Sequence, residues 1–223
     1  MKKFSFFMMI ATVMLAMVSC TQKHDKTIAD LKAAIDGEST ASAKYAAFAD
    51  QAAKDSLFAI EALFKATSQA EAIHIKNHQA ALAALGVTDY EGKVDKIEVK
   101  STAENLQAAI DGETYEFTTM YPEFIKDAET EKSKEAIVSL NYAQDAEKDH
   151  AKIYADALAN LSTPNALATV YYLCPKCGNV FANTPAEACE LCQTPADSFI
   201  VFKATLPAGI ATDATSEATQ AVK

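Results

Sequence analysis

The 223-residue sequence predicts a mainly α-helical chain, a four-helix bundle followed by a small metal-binding domain. Three observations predict it. LKAAIDGE, ending at Glu38, recurs as LQAAIDGE, ending at Glu113, and each copy is followed about one helix length later by Glu-x-x-His, at Glu71/His74 and at Glu147/His150. Apolar residues around both copies keep a helical period. Two Cys-x-x-Cys pairs, Cys174/Cys177 and Cys189/Cys192, follow the second copy and mark a separate domain. The bundle is therefore read as a duplicated helix pair.

In chain order, residues 1–19 read as an export signal. Lys2 and Lys3 precede an apolar run, Phe4 to Val18, that is too short to span a bilayer comfortably. It ends in Val18-Ser19-Cys20, which resembles a lipoprotein cleavage site. Cys20 is then the lipidated first residue, anchoring the exported chain to the membrane of the cell envelope, on the periplasmic side. An ordinary secretory signal with an incidental cysteine is the alternative. Residues 20–26 form a polar tether in which His24 is expected to face solvent.

The bundle is expected over 27–161. Its first helix runs from Thr27 to about Ala53, with Thr27 or Asp30 near its start and Ile28, Leu31, Ile35, Tyr45 and Phe48 turned inward. Glu38 falls inside that apolar stripe, where an acid needs a partner or a metal. The second helix spans Leu57 to Leu85 and is stopped by Gly86. His78 lies one turn beyond His74, where the second copy has Tyr154, so it is placed on the surface or behind the metal ligands. Residues 86–100 form a linker long enough to cross the bundle. The third helix is capped by Ser101 or Thr102 and runs to about Ala128, with a kink expected at Pro122. The fourth runs from about Glu131 to Leu161 on Ile137, Leu140, Ile153 and Leu158, and Pro164-Asn165 end the bundle. A linker (162–170), the cysteine domain (171–203) and an Ala/Thr-rich tail (204–223), expected to be disordered, complete the chain.

Residues three apart on a helix share a face, so Glu71 with His74 and Glu147 with His150 each present an oxygen and a nitrogen to the bundle interior. Two helices giving Glu and two giving Glu-x-x-His is the arrangement that holds a di-iron or di-manganese centre. A single Glu-x-x-His arises by chance on solvated helices; recurrence in register argues for metal. Glu116 is an extra carboxylate, because the first copy has Ala41 at the matching position. The four cysteines read as a tetrathiolate site, with a pair of disulfides as the alternative in an exported protein. The second knuckle carries Gln193 where the first has Gly178, a position that commonly needs positive φ. The net charge is −10 and every basic residue is a lysine, which excludes nucleic acid as a natural partner.

Residues 27–203 resemble rubrerythrin, through DGE-S at Glu38, both Glu-x-x-His motifs, GETYEFTTMYPEF from Gly112, and CPKCG…CELC. The resemblance implies a ferritin-like four-helix bundle with a C-terminal rubredoxin-like domain. It also implies a non-haem di-iron centre that reduces hydrogen peroxide to water, supplied with electrons through a mononuclear iron tetrathiolate site. By resemblance the di-iron ligands are Glu38, Glu71, His74, Glu113, Glu116, Glu147 and His150, and Cys174, Cys177, Cys189 and Cys192 hold the mononuclear iron. Tyr45 and Tyr121 match the tyrosines beside the carboxylates, and Glu116 and His74 are the pair an iron exchanges on changing charge. Rubrerythrins pair head to tail, so a homodimer is implied, with one subunit's tetrathiolate near the other's di-iron centre. The second knuckle, Cys-Glu-Leu-Cys-Gln, departs from the usual rubredoxin pattern and leaves zinc as an alternative metal. The export signal leaves the electron donor unidentified. Two other functions fit the same residues: ferritin-like iron oxidation or storage, and a non-enzymatic zinc module that binds a partner.

Overall fold

Five helices and three strands follow one another in a computed structural model that describes residues 23–163, 166–182 and 187–205. The helices are α1 (Asp25–Lys54), α2 (Phe58–Ala84), α3 (Thr102–Tyr115), α4 (Tyr121–Thr130) and α5 (Lys134–Ala159), with a π-helical segment, Glu116–Met120, joining α3 to α4. The strands are β1 (Val170–Leu173), β2 (Val180–Ala182) and β3 (Ile200–Lys203). The fold is mainly α, a ferritin-like bundle bearing a small rubredoxin-like domain. The expected export signal, Cys20, Pro164-Asn165 and nearly all of the tail lie outside the described residues.

Helix α1 begins two residues before the expected start, and neither Thr27 nor Asp30 caps it. His24 holds the N-cap position and makes no side-chain cap bond. It is half-buried rather than solvent-facing. The free N–H groups of Lys26 and Thr27 instead donate to the Glu131 carboxylate, at 3.1 and 2.9 Å. That cap comes from the far end of α4, a contact no local pattern reveals. Ser101, by contrast, caps α3 as expected, in a capping box with Glu104.

The two copies share their turns. Ser56 and Lys132 both take positive φ, and Leu57 N–H to Ala52 O is matched by Ser133 N–H to Ala128 O. Between Glu113 and Glu147 the second copy nevertheless has one residue more than the first has between Glu38 and Glu71. The π-helical segment absorbs it, because a π turn is an α turn with one residue inserted. The irregularity therefore starts at Glu116, ahead of the expected kink at Pro122. Pro122 sits in the first turn of α4, where a missing N–H costs little.

Residues 86–100 cross the bundle along α1. Tyr90 OH and Lys93 N–H bond Asp36, Asp95 N–H bonds Thr40, and Thr102 at the far end bonds Asp55. Two apolar clusters fill the bundle, one around Leu31, Ile35, Leu82, Tyr121 and Leu140, the other around Tyr45, Phe48, Leu63, Phe64 and Tyr154. On α1 the first cluster stops at Ile35 and the second begins at Ala41, so Glu38 lies in a polar layer between them. Of the core positions expected in α5 only Leu140 is fully buried; Ile137, Ile153 and Leu158 are half-buried. Ala136, Ala143, Ala146 and Ala157 form the buried stripe instead, and their small side chains let α5 approach its neighbours closely.

In the C-terminal domain β1 pairs antiparallel with both β2 and β3. The turn between β1 and β2 is the first cysteine knuckle, and it packs onto α2 and α5 beside the polar layer.

Candidate metal centres

Helix geometry delivers each donor to that layer. Glu38 comes from α1, Glu71 and His74 from α2, Glu113 from the end of α3, and Glu147 and His150 from α5. None is more than 1% exposed. Their donor atoms form two groups, Glu38-Glu71-His74-Glu147 and Glu71-Glu113-Glu147-His150, each with all atoms within 4.8 Å of one another. Glu71 and Glu147 belong to both groups. Two carboxylates that face two positions at once are the natural bridges of a binuclear site.

His74 Nε2 lies 3.0 Å from Cys177 O, and His150 Nε2 lies 3.2 Å from Gly178 O. A carbonyl only accepts, so each Nε2 carries the hydrogen and donates it, which turns each Nδ1 toward the cluster. There His74 Nδ1 meets Glu71 Oε2 at 2.9 Å and Glu147 Oε1 at 2.8 Å, and His150 Nδ1 meets Glu147 Oε2 at 2.7 Å. Glu38 Oε2, Glu71 Oε1 and Glu113 Oε2 are buried without a hydrogen-bond partner. Buried carboxylate oxygens of this kind need a cation. The donor set thus fits a di-iron centre.

Electrostatics point the same way. Burial lifts Glu38 and Glu113 well above the usual carboxylate range, and the Glu147 charge adds to it. Glu147 itself is held low: burial opposes this, but the charges of His74 and His150 outweigh it. Both imidazoles are raised in turn, against burial, chiefly by Glu147. Glu116 opens the π-helical segment, half-buried, and belongs to neither group of four. Its Oε1 reaches across to Gly37 of α1, and burial pushes its carboxyl up to about 8, with Lys44 opposing.

The tyrosines cross between copies. Tyr45 OH donates to Glu113 Oε1 at 2.6 Å, and Tyr121 OH donates to Glu38 Oε1. His78 is fully buried behind Tyr121, with Nε2 at 3.1 Å from its hydroxyl and Nδ1 at 2.8 Å from Ser139 Oγ. It stands behind the ligands, not on the surface. Its spacing of four from His74 is the signal that placed it on the same face, and its depth had no signal.

The four thiols lie within 4.8 Å of one another, with Cys174 and Cys192 sulfurs 3.4 Å apart and Cys177 and Cys189 sulfurs 3.5 Å apart. These are free cysteines, not the alternative pair of disulfides. A hydrogen bond from Cys177 and the backbone N–H groups of Cys177 and Lys176 hold the Cys174 thiol down at about 4. Such a tetrathiolate fits a mononuclear iron. Gly178 (φ 83°) closes the first knuckle so tightly on α2 that a Cβ there would lie 2.3 Å from His74 Nε2. Asn77 donates to Lys176 O and Asn179 to Asp149, fastening the knuckle to both helices.

Fold and sites together define an iron-binding oxidoreductase, a carboxylate-histidine bundle with a thiolate iron site attached. Residues 30–158 match the rubrerythrin family profile, and the chain belongs to the rubrerythrin family. Nigerythrin of Nitratidesulfovibrio vulgaris is 36% identical over 176 residues, 79% of this chain and 86% of that one. Rubrerythrin-2 of Clostridium acetobutylicum is 33% identical over 184 residues, 81% of this chain and 98% of that one. The solved structure of fully reduced, all-ferrous nigerythrin superposes with a TM-score of 0.75 at 32% identity, covering 89% of this chain and all of that one. Membership makes the chain a di-iron protein of oxidative-stress defence.

Proposed function

We propose that this rubrerythrin reduces hydrogen peroxide to water, with electrons passed from its tetrathiolate site to its carboxylate site. The carrying observation is the docking of the first knuckle, whose Cys177 and Gly178 carbonyls accept the Nε2 hydrogens of His74 and His150. A cysteine ligand of one site is thus one peptide carbonyl away from a histidine of the other, within one chain. The resemblance implies the same proximity between two subunits of a head-to-tail homodimer.

In this reading Glu38, Glu71, His74, Glu113, Glu147 and His150 would hold the iron pair, with Glu71 and Glu147 common to both donor groups. Glu116, one helical turn beyond Glu113, would be the seventh ligand and the fifth carboxylate. Cys174, Cys177, Cys189 and Cys192 hold the third iron. When bound, the iron pair supplies the two electrons that cleave the O–O bond; two protons complete two waters. The chain's residues do the rest. The apolar clusters above and below the layer keep bulk water out. Tyr45 and Tyr121, raised well above the usual phenol range by burial and then by the neighbouring glutamate, keep their protons on the hydroxyls that face Glu113 and Glu38.

The ferrous protein should consume peroxide over many turnovers when given a chemical reductant of the tetrathiolate. A Cys192→Ser variant should be oxidised once and then lose at least about tenfold in steady-state rate, since electron entry is lost while the bundle stays intact. Equal steady-state rates in the two proteins would refute the relay. Absence of peroxide consumption by the iron-loaded wild type would refute the peroxidase.

We also infer that the chain is exported and anchored by lipid on Cys20, on the strength of residues 1–20 alone. Labelled palmitate should enter the wild type and not Cys20→Ala, and equal labelling would remove the anchor.

A further inference from the structure

On the Tyr121 side of the bundle, a line of polar groups leads from the carboxylate cluster to the surface. Ser139, 5% exposed, lines a surface cleft of about 360 Å³ between α2 and α5, together with Asn77, Lys134, Glu135, Val138 and Tyr142. Val138, beside Ser139, is 53% exposed, so the cleft meets solvent. From Ser139 the contacts run to His78 Nδ1, from His78 Nε2 to Tyr121 OH, and from Tyr121 OH to Glu38 Oε1.

The polarity of this chain is fixed by its inner end. Tyr121 spends its one hydrogen on Glu38, so its oxygen must accept from His78 Nε2–H. His78 then offers a bare Nδ1, which accepts from Ser139 Oγ–H. Every donor points inward. The ring is fully buried between two hydroxyls, which disfavours its charged form, so it rests neutral, as this arrangement requires.

We propose that Ser139, His78 and Tyr121 form a proton route from the α2/α5 cleft to Glu38. In one passage Ser139 Oγ takes a proton from water in the cleft and gives its own to His78 Nδ1. His78 Nε2 gives its proton to the Tyr121 oxygen, and Tyr121 gives its hydroxyl proton to Glu38 Oε1. One proton enters from solvent, one appears on Glu38, and no electron moves. Reduction of peroxide or dioxygen consumes protons at this layer, and the route brings them through the apolar cluster that otherwise seals it. His78, Ser139 and Tyr121 act here as positioning and relay groups, not as metal ligands.

The route is tested on the full-length, iron-loaded ferrous protein by following proton uptake with a pH indicator during one oxidation. Dioxygen is run beside peroxide, so a protein inert to peroxide still reports on the route. His78→Asn and Ser139→Ala should retain wild-type iron content. Both should slow proton uptake, His78→Asn by the order of 10²-fold, the low end of what a positioned proton-transfer group contributes. They should raise the solvent deuterium isotope effect, and free imidazole should restore His78→Asn. A structural histidine would give neither the isotope effect nor the rescue. If His78→Asn loses iron, Ser139→Ala, remote from the ligands, decides alone. Nitrogen NMR of the zinc-loaded, diamagnetic wild type, in which the metal keeps Glu38 ionised, gives a separate reading: His78 should be the Nε2–H tautomer. Wild-type uptake rates in both variants, or an Nδ1–H tautomer, would overturn the proposal.

Discussion

Tyr45 and Tyr121 occupy matching places in the two copies, and each donates to the glutamate of the other copy, yet their surroundings differ in kind. Behind Tyr45 stand Tyr154, Phe64 and Phe48, with ring centroids 5.5, 6.1 and 6.3 Å away. Tyr154 spends its hydroxyl on Thr67, a neighbour inside the same cluster. Behind Tyr121 stands His78, the residue that matches Tyr154, and behind that Ser139 and a cleft. The two copies present matching donors, but aromatic rings stand behind one, and an imidazole, a hydroxyl and a cleft stand behind the other. The six paired ligands keep the symmetry of the two copies, Glu116 apart, while proton supply does not.

The sharpest way to break this comparison is to remove the two hydroxyls separately. Tyr121→Phe should slow proton uptake on oxidation by the order of 10²-fold, because it cuts the only described link between His78 and Glu38. Tyr45→Phe should change that rate by less than about threefold, having no relay behind it, although each substitution costs about 1–3 kcal/mol by stripping a donor from a buried carboxylate. Thermal unfolding and indicator kinetics on the same samples separate the two effects. Equal slowing in both variants would mean that the asymmetry behind the tyrosines has no part in proton supply.

How much of this could be read from the sequence follows the range of the interactions involved. Glu38, Glu71, His74, Glu113, Glu147 and His150 were legible because a spacing of three on a helix fixes the face, and recurrence fixes the register. The four cysteines were legible from spacing alone. The π-helical segment was not, since an inserted residue leaves the helical period nearly unchanged, and Pro122 drew the irregularity to the wrong residue. The Glu131 cap on α1 and the docking of the first knuckle on His74 join residues about a hundred positions apart, and its docking on His150 joins residues 28 apart, none of which local periodicity reports. His78 was visible as a residue type on the right face; only packing showed that Ser139 lay beyond it.

The knuckles repeat the comparison on a smaller scale. Both closing residues take positive φ, 83° at Gly178 and 59° at Gln193, as expected from the match between the two motifs. Gly178 is held there twice over, by its backbone angle and by His74, which leaves no room for a Cβ. Gln193 is exposed and meets no such wall, so only the angle acts on it. A residue with a Cβ in that conformation is strained by about 1–2 kcal/mol. Gln193→Gly relieves the strain but gives back about 0.4–1 kcal/mol through the freer unfolded chain. The balance is about 0–1.6 kcal/mol, or at most roughly fifteenfold in metal retention. The Gln193 amide also donates to Glu190 O at 3.1 Å, a surface bond whose loss trims the gain further. Chelator competition followed by the visible absorbance of the thiolate site should therefore show the variant bleaching at a modestly higher chelator concentration. Weaker retention in Gln193→Gly would mean that the amide bond outweighs the strain, and that the second knuckle is closed by its side chain where the first is closed by its docking.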